Sequence, residues 1–119
     1  MSTPNYRDLK VWQKSMKLVS AIYMLTKKLP ESERFVLTSQ LQRAAISVPS
    51  NIAEGRGRGT DKEFIRFIHI TLGSLAEIDT QLELAVRLGY CQQKDILEMA
   101  TEVLEIRKML FALKRALTR

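Results

Sequence analysis

The stretch SVPSNIAEGRGRGTDKEF, residues 47–64, holds one proline, three of the chain's five glycines and two interleaved arginines between two strongly helical segments. It reads either as a phosphate-gripping loop or as a hinge between two helices. A Walker-type loop needs GxxxxGK[ST] after a strand. Here Gly55-Arg56-Gly57-Arg58-Gly59-Thr60 follows a helical pattern and has no lysine in that place. A dinucleotide loop needs GxGxxG within a βαβ unit, and no strand pattern lies near. The hinge chemistry is simpler. Gly55 or Gly57 takes the left-handed conformation that stops a helix. Thr60 then caps the next helix, and Glu63 completes a capping box. Asp61 and Glu63 already answer the positive end of that helix's dipole. The segment is therefore expected to be a helix-to-helix hinge that displays Arg56 and Arg58.

Working outward, the apolar stripe Leu37, Leu41, Ala44, Val48 and Ile52 predicts a helix that begins near Ser32. Pro49 removes one backbone bond, to the Ala45 carbonyl, and biases Val48 away from the α region. One reading carries the helix through Pro49 with a kink, with Ser47, Ser50 and Asn51 satisfying the freed groups. The other ends it at Val48. Downstream, Phe64, Phe67, Ile68, Leu72, Leu75, Ile78, Leu82 and Ala85 predict a third helix from Asp61 to about Leu88, stopped by Gly89. Gly73-Ser74 at its middle lets another backbone come close. Helix one is predicted over about Asp8 to Lys28, and helix four over about Gln93 to Ala116. In helix four Asp95, Glu98, Glu102 and Glu105 precede Arg107, Lys108, Lys114, Arg115 and Arg119, an order that suits the helix dipole. Four helices with short connections predict an all-α fold: an antiparallel up-down-up-down four-helix bundle, one domain over residues 1–119. Helices one, three and four are apolar over a wider arc than one core needs, which points to a second buried surface and a homo-oligomer.

Composition bounds the function. The chain has 119 residues, one cysteine and a net charge of +6. A single Cys91 forms no internal disulfide and fits a reducing compartment. No apolar run is long enough for a bilayer, and the N-terminus has no signal-peptide pattern, so the expected location is cytoplasmic, with no membrane partner. Residues 1–30 carry six basic side chains against Asp8 alone, a bias that suits an anionic partner or a solvated face.

The residues give little to enzyme chemistry. No Glu stands three residues before His69, as a di-iron bundle requires, and one His with one Cys builds no zinc site. Cys91 and His69 lack a third orienting group. No catalytic residue, metal or cofactor is expected, and the chain reads as a non-enzyme. Two stripes remain. Gln40, Arg43, Ser47, Asn51 and Glu54, spaced 3, 4, 4 and 3, form a polar stripe of short and amide types that suits a buried polar network. Arg43 and Glu54 are ~16 Å apart along one helix, so each needs a partner from elsewhere, such as another subunit. Arg7, Lys10, Lys14 and Lys17, spaced 3, 4 and 3, form a basic stripe on helix one. With Arg43, Arg56, Arg58, Lys62 and Arg66 they are the expected phosphate-binding side chains, for RNA or DNA. Trp12, Phe64 and Phe67 sit at core spacing and are expected to pack rather than to stack on bases. The rival expectation is an adaptor or scaffold whose basic surface receives an acidic protein.

Val11-Trp12, Tyr23, Leu29-Pro30-x-x-Glu33, Gln40, Arg43-Ala44, the run from Ser47 to Gly55, Glu63-Phe64-x-x-Phe67 and Gly73-Ser74 together resemble the 23S rRNA intervening-sequence proteins, a family of four-helix bundles. The match runs from about Tyr6 to Tyr90. The family is also similar to the accessory proteins of diversity-generating retroelements, barrel-shaped pentamers that bind nucleic acid and a reverse transcriptase. The resemblance thus implies a homopentamer of four-helix protomers and supplies no settled activity. Two positions depart from the family's pattern: Gln42 stands where a second arginine is common before Arg43, and Thr71-Leu72 stands where Ala-Arg is common before Gly73. Any nucleic-acid role of those arginines is expected to be weaker here.

Overall fold

A computed structural model describes residues 5–118. Four helices fill it: α1 (Lys10–Thr26), α2 (Leu37–Gly57), α3 (Asp61–Arg87) and α4 (Gln93–Leu117), with short 3-10 turns at Tyr6–Asp8 and Glu31–Glu33. The chain forms a rod of 50 × 22 × 20 Å. Each helix packs on its sequence neighbours, and α4 closes the ring against α1. Contacts fix the directions. Lys14 meets Glu105 while Lys28 meets Asp95, so α1 and α4 run oppositely. Ser47 meets Ser74 and Gly55 lies against Phe67, so α2 and α3 do too. The 3-10 turn before α1 packs on α2 and shares a groove with Ala53, while Gln42 near the start of α2 donates to the Thr26 hydroxyl at the end of α1 at 3.2 Å, so α1 and α2 run oppositely as well. Ile22, Leu41, Ile52, Ile68, Ile78, Leu82, Ile106 and Leu110 are fully buried along the axis.

α2 continues through Pro49, which is buried. Two side chains supply local bonds around it: Ser47 donates to the Ala44 carbonyl at 2.6 Å, and Asn51 donates to the Ser47 carbonyl at 2.8 Å. Two boundaries differ from the periodicity. α1 starts later, because the Asn5 side chain accepts from the Arg7 amide at 2.9 Å and winds Tyr6–Asp8 into a separate turn. α2 starts at Leu37 rather than near Ser32, because the chain after Pro30 first makes a 3-10 turn. The Glu33 carboxylate then accepts from the Leu37 amide at 3.2 Å and takes the capping role. The left-handed glycines are Gly59 (φ 88°) and Gly89 (φ 82°), not Gly55 or Gly57. Gly55 has a different duty. It is buried where α2 crosses Phe67, and a Cβ there would lie 2.6 Å from the Phe67 Cβ. Arg119, the last base assigned to helix four, lies outside the described residues.

Candidate nucleic-acid interface

The basic stripe of helix one is not an open face. Lys14 lies 2.8 Å from Glu105 and 3.2 Å from Glu102, and Lys28 lies 3.3 Å from Asp95. Lys17 and Glu98 line the same cleft of about 400 Å³ between α1 and α4, over a floor of Leu18, Ala21 and Met99. Asp95, Glu102 and Glu105 are therefore tertiary partners of Lys28 and Lys14, beyond any service to the helix dipole. Hydrogen bonds to Glu105, then Glu102, raise the Lys14 pKa above its ordinary value. The same lysine holds the Glu105 carboxyl below its own. Asp95 is likewise held low, first by the Gln92 amide and then by Lys28. Arg7 leaves the stripe altogether. It sits in the 3-10 turn with its guanidinium 5.6 Å from the Tyr6 ring centre and 5.8 Å from that of Trp12. Lys10 and Lys17 remain exposed.

At the hinge, Thr60 caps α3 by accepting from the Glu63 amide at 3.2 Å. The Glu63 carboxylate turns to Arg66 at 3.0 Å, a contact that holds it below its ordinary pKa. Arg58 reaches Glu54 at 2.6 Å and Glu63 at 3.8 Å. Arg58 and Arg66 both lie over Phe67, at 5.1 and 4.6 Å, and Arg56 lies over Phe64 at 6.0 Å. These rings are buried, so the arginine side chains cover this part of the core. Lys62 is exposed.

The polar stripe of α2 divides in this protomer. Ser47 and Asn51 are half-buried against α3, where the Ser47 and Ser74 hydroxyls hydrogen-bond at 2.6 Å. Gln40, Arg43 and Glu54 are exposed. Gln40 and Arg43 line a shallow groove of about 250 Å³ with Ile70 and Glu77 of α3. Glu54 finds its partner, Arg58, one turn on in its own helix. Gly73 faces open space, and it is Ser74 that admits α2.

The antiparallel order brings cations from four helices into one half of the rod. Arg7 and Lys10 come from the start of the chain, Arg56 and Arg58 from the end of α2, and Lys62 and Arg66 from the start of α3. α4 adds Arg107, Lys108, Lys114 and Arg115 from its second half. Against them stand Asp8, Glu54, Asp61 and Glu63. The other half is balanced: Lys27, Lys28, Arg34, Arg43, Arg87 and Lys94 face Glu31, Glu33, Glu77, Asp79, Glu83, Asp95 and Glu98, while Lys14 and Lys17 offset Glu102 and Glu105 at the middle. Among the described residues Lys10, Arg56, Lys62 and the four cations of α4 form no ion pair. Sequence reasoning missed the α4 group because dipole complementarity already explained it. The signal was available in the helix order, since an up-down bundle must place the last turns of α4 beside the first turns of α1.

Among the described residues, His69 and Cys91 are not brought together. His69 lies in the basic half, while Cys91 sits in the α3–α4 connection at the far end, ~27 Å along the axis from the rise of α3 alone. Burial, aided by Asp95, pushes the Cys91 thiol pKa up and keeps it protonated. No group of three or more His, Cys, Asp or Glu among the described residues is placed to hold a metal.

No helix among the described residues is long and apolar enough to cross a membrane. No curated protein matches the chain in sequence. Among solved structures, a protein of unknown function from the S23 ribosomal protein family of Bacteroides thetaiotaomicron VPI-5482 superposes with a TM-score of 0.80 at 28% identity, over 87% of this chain and 97% of that one. The profile of the 23S rRNA-intervening sequence proteins matches residues 7–112, nearly the whole bundle, and the chain belongs to that family.

Proposed function

We propose that this chain is a non-enzymatic nucleic-acid-binding protein that grips the phosphate backbone with the basic half of its bundle. One observation carries the reading: unpaired lysines and arginines from α1, α2, α3 and α4 converge on one half while the other half is charge-balanced. A solubility charge has no reason to segregate in this way, whereas a polyanion is recognised by such a field. Lys10, Arg56, Lys62 and the cations of α4 take the phosphates. Lys14 has a structural duty instead, and Arg58 and Arg66 are half-neutralised by Glu54 and Glu63.

Assembly is part of the proposal. Trp12, Met16, Val19, Ile46, Pro49 and Ala53 line an apolar groove of about 360 Å³ between α1 and α2, and Met16 and Ile46 are more than two-fifths exposed. A second copy seated there supports a homo-oligomer that multiplies the basic half. The direct test is retardation of labelled RNA and DNA across a salt series. Affinity should fall with salt, by a logarithmic slope of about −0.9 per neutralised phosphate on duplex DNA and about −0.7 on single strands. No retardation at low salt would overturn the reading and leave the acidic-partner adaptor in its place.

A further inference from the structure

Phe111 lies on the outward face of α4 and is 39% exposed. Its four nearest neighbours on the helix surface, three and four residues away on each side, are Arg107, Lys108, Lys114 and Arg115. All are cations. The helix dipole accounts for Lys114 and Arg115 in the last turn, but its reach fades before Arg107 and Lys108. Glu105, one turn back, is engaged by Lys14 at 2.8 Å. Among the four phenylalanines the ring is also singular. Phe35, Phe64 and Phe67 each carry an arginine guanidinium over the face, at 5.1, 6.0 and 4.6 Å for the nearest. Among the described residues no cation covers the Phe111 ring. A partly exposed aromatic ring, free of any cation over it and set among unpaired cations, has the chemistry of a nucleobase platform: the ring stacks on a base and the surrounding charges hold the phosphates on either side.

We infer that Phe111 with its four cations is a stacking site for single-stranded nucleic acid. The inference rests on the nucleic-acid reading of the basic half and names the form of ligand within it. A duplex keeps its bases stacked inside, so it engages the cations but not the ring. A single strand engages both. The site reads base stacking and phosphate charge, features that RNA and DNA strands share.

The test compares the full chain with its Phe111→Leu and Phe111→Trp variants. Each is titrated against a labelled oligo-dT strand and a labelled duplex of equal length, read by fluorescence anisotropy. Thermal melting checks that the fold is kept, as expected for a half-exposed position that stays apolar. Phe111→Leu should weaken single-strand binding about five- to a hundredfold and leave duplex binding unchanged. Phe111→Trp should retain or improve single-strand binding. Equal single-strand affinity for wild type and Phe111→Leu overturns the stacking site while the basic half stands. An equal loss on strand and duplex overturns it too, as does a change of oligomeric state in place of affinity. Absence of any binding by wild type overturns the nucleic-acid reading itself.

Discussion

Gly55 carries the tightest constraint at the level of single residues. It lies where α2 meets α3, and any side chain must push against the Phe67 Cβ, an atom fixed to its own backbone. Gly55→Ala should cost about 1–3 kcal/mol by overpacking, read as a fall in urea midpoint. Gly73 makes the opposite case. It lies inside α3 with nothing within 4 Å of where its Cβ would be, so Gly73→Ala should stabilise the protomer by roughly 0.5–1 kcal/mol. If Gly73→Ala instead weakens assembly, that open space is where a second copy sits. Glu54 differs from both. As an exposed carboxylate paired with Arg58 of its own helix, it should tolerate Glu54→Gln with no measurable change in melting temperature. The stripe of short polar residues suggested a buried network. Burial reaches only Ser47 and Asn51, because α3 approaches α2 at Ser74 and covers one edge of the stripe alone.

The helices themselves were legible in the sequence, because apolar spacing of 3 and 4 persists over each of them. Their ends were less so. Asn5 and Glu33 set the starts of α1 and α2 through side-chain bonds that periodicity does not register. The ion pairs between α1 and α4 were harder to read, although the helix order sets the two helices side by side: each stripe, basic or acidic, reads as a solvated face until the facing side chains are known. That pairing gives two predictions. Lys14→Glu should lower the melting temperature by placing a third carboxylate beside Glu102 and Glu105, and adding Glu105→Lys should recover part of the loss. The pH dependence follows from the same contacts. Glu63, Asp95 and Glu105 are held below their ordinary pKa values in the fold. Their contribution is present above the ordinary carboxylate range, near pH 4, and is lost as pH falls through the lower folded values. Melting temperature should therefore decline on acidification below about pH 4, less steeply in Lys14→Met, which leaves Glu105 without its lysine.

At the scale of the whole molecule, an up-down bundle turns four local charge patterns into one asymmetric field. Light scattering should report a mass several times that of one chain if the α1–α2 groove seats a second copy. A monodisperse monomer would remove the assembly from the account and leave the field intact. The most direct measurement of that field compares two charge reversals of equal size placed at opposite ends. Lys62→Glu with Lys108→Glu acts on the basic half, and Lys27→Glu with Lys94→Glu acts on the balanced half. All four lysines are exposed and without an ion-pair partner among the described residues, so both variants should fold. Binding of one labelled strand at fixed low salt should be lost in the first variant and nearly kept in the second, with a shallower salt slope only in the first. Equal loss in the two would show that net charge, not its placement by the fold, governs binding, and would contradict the account.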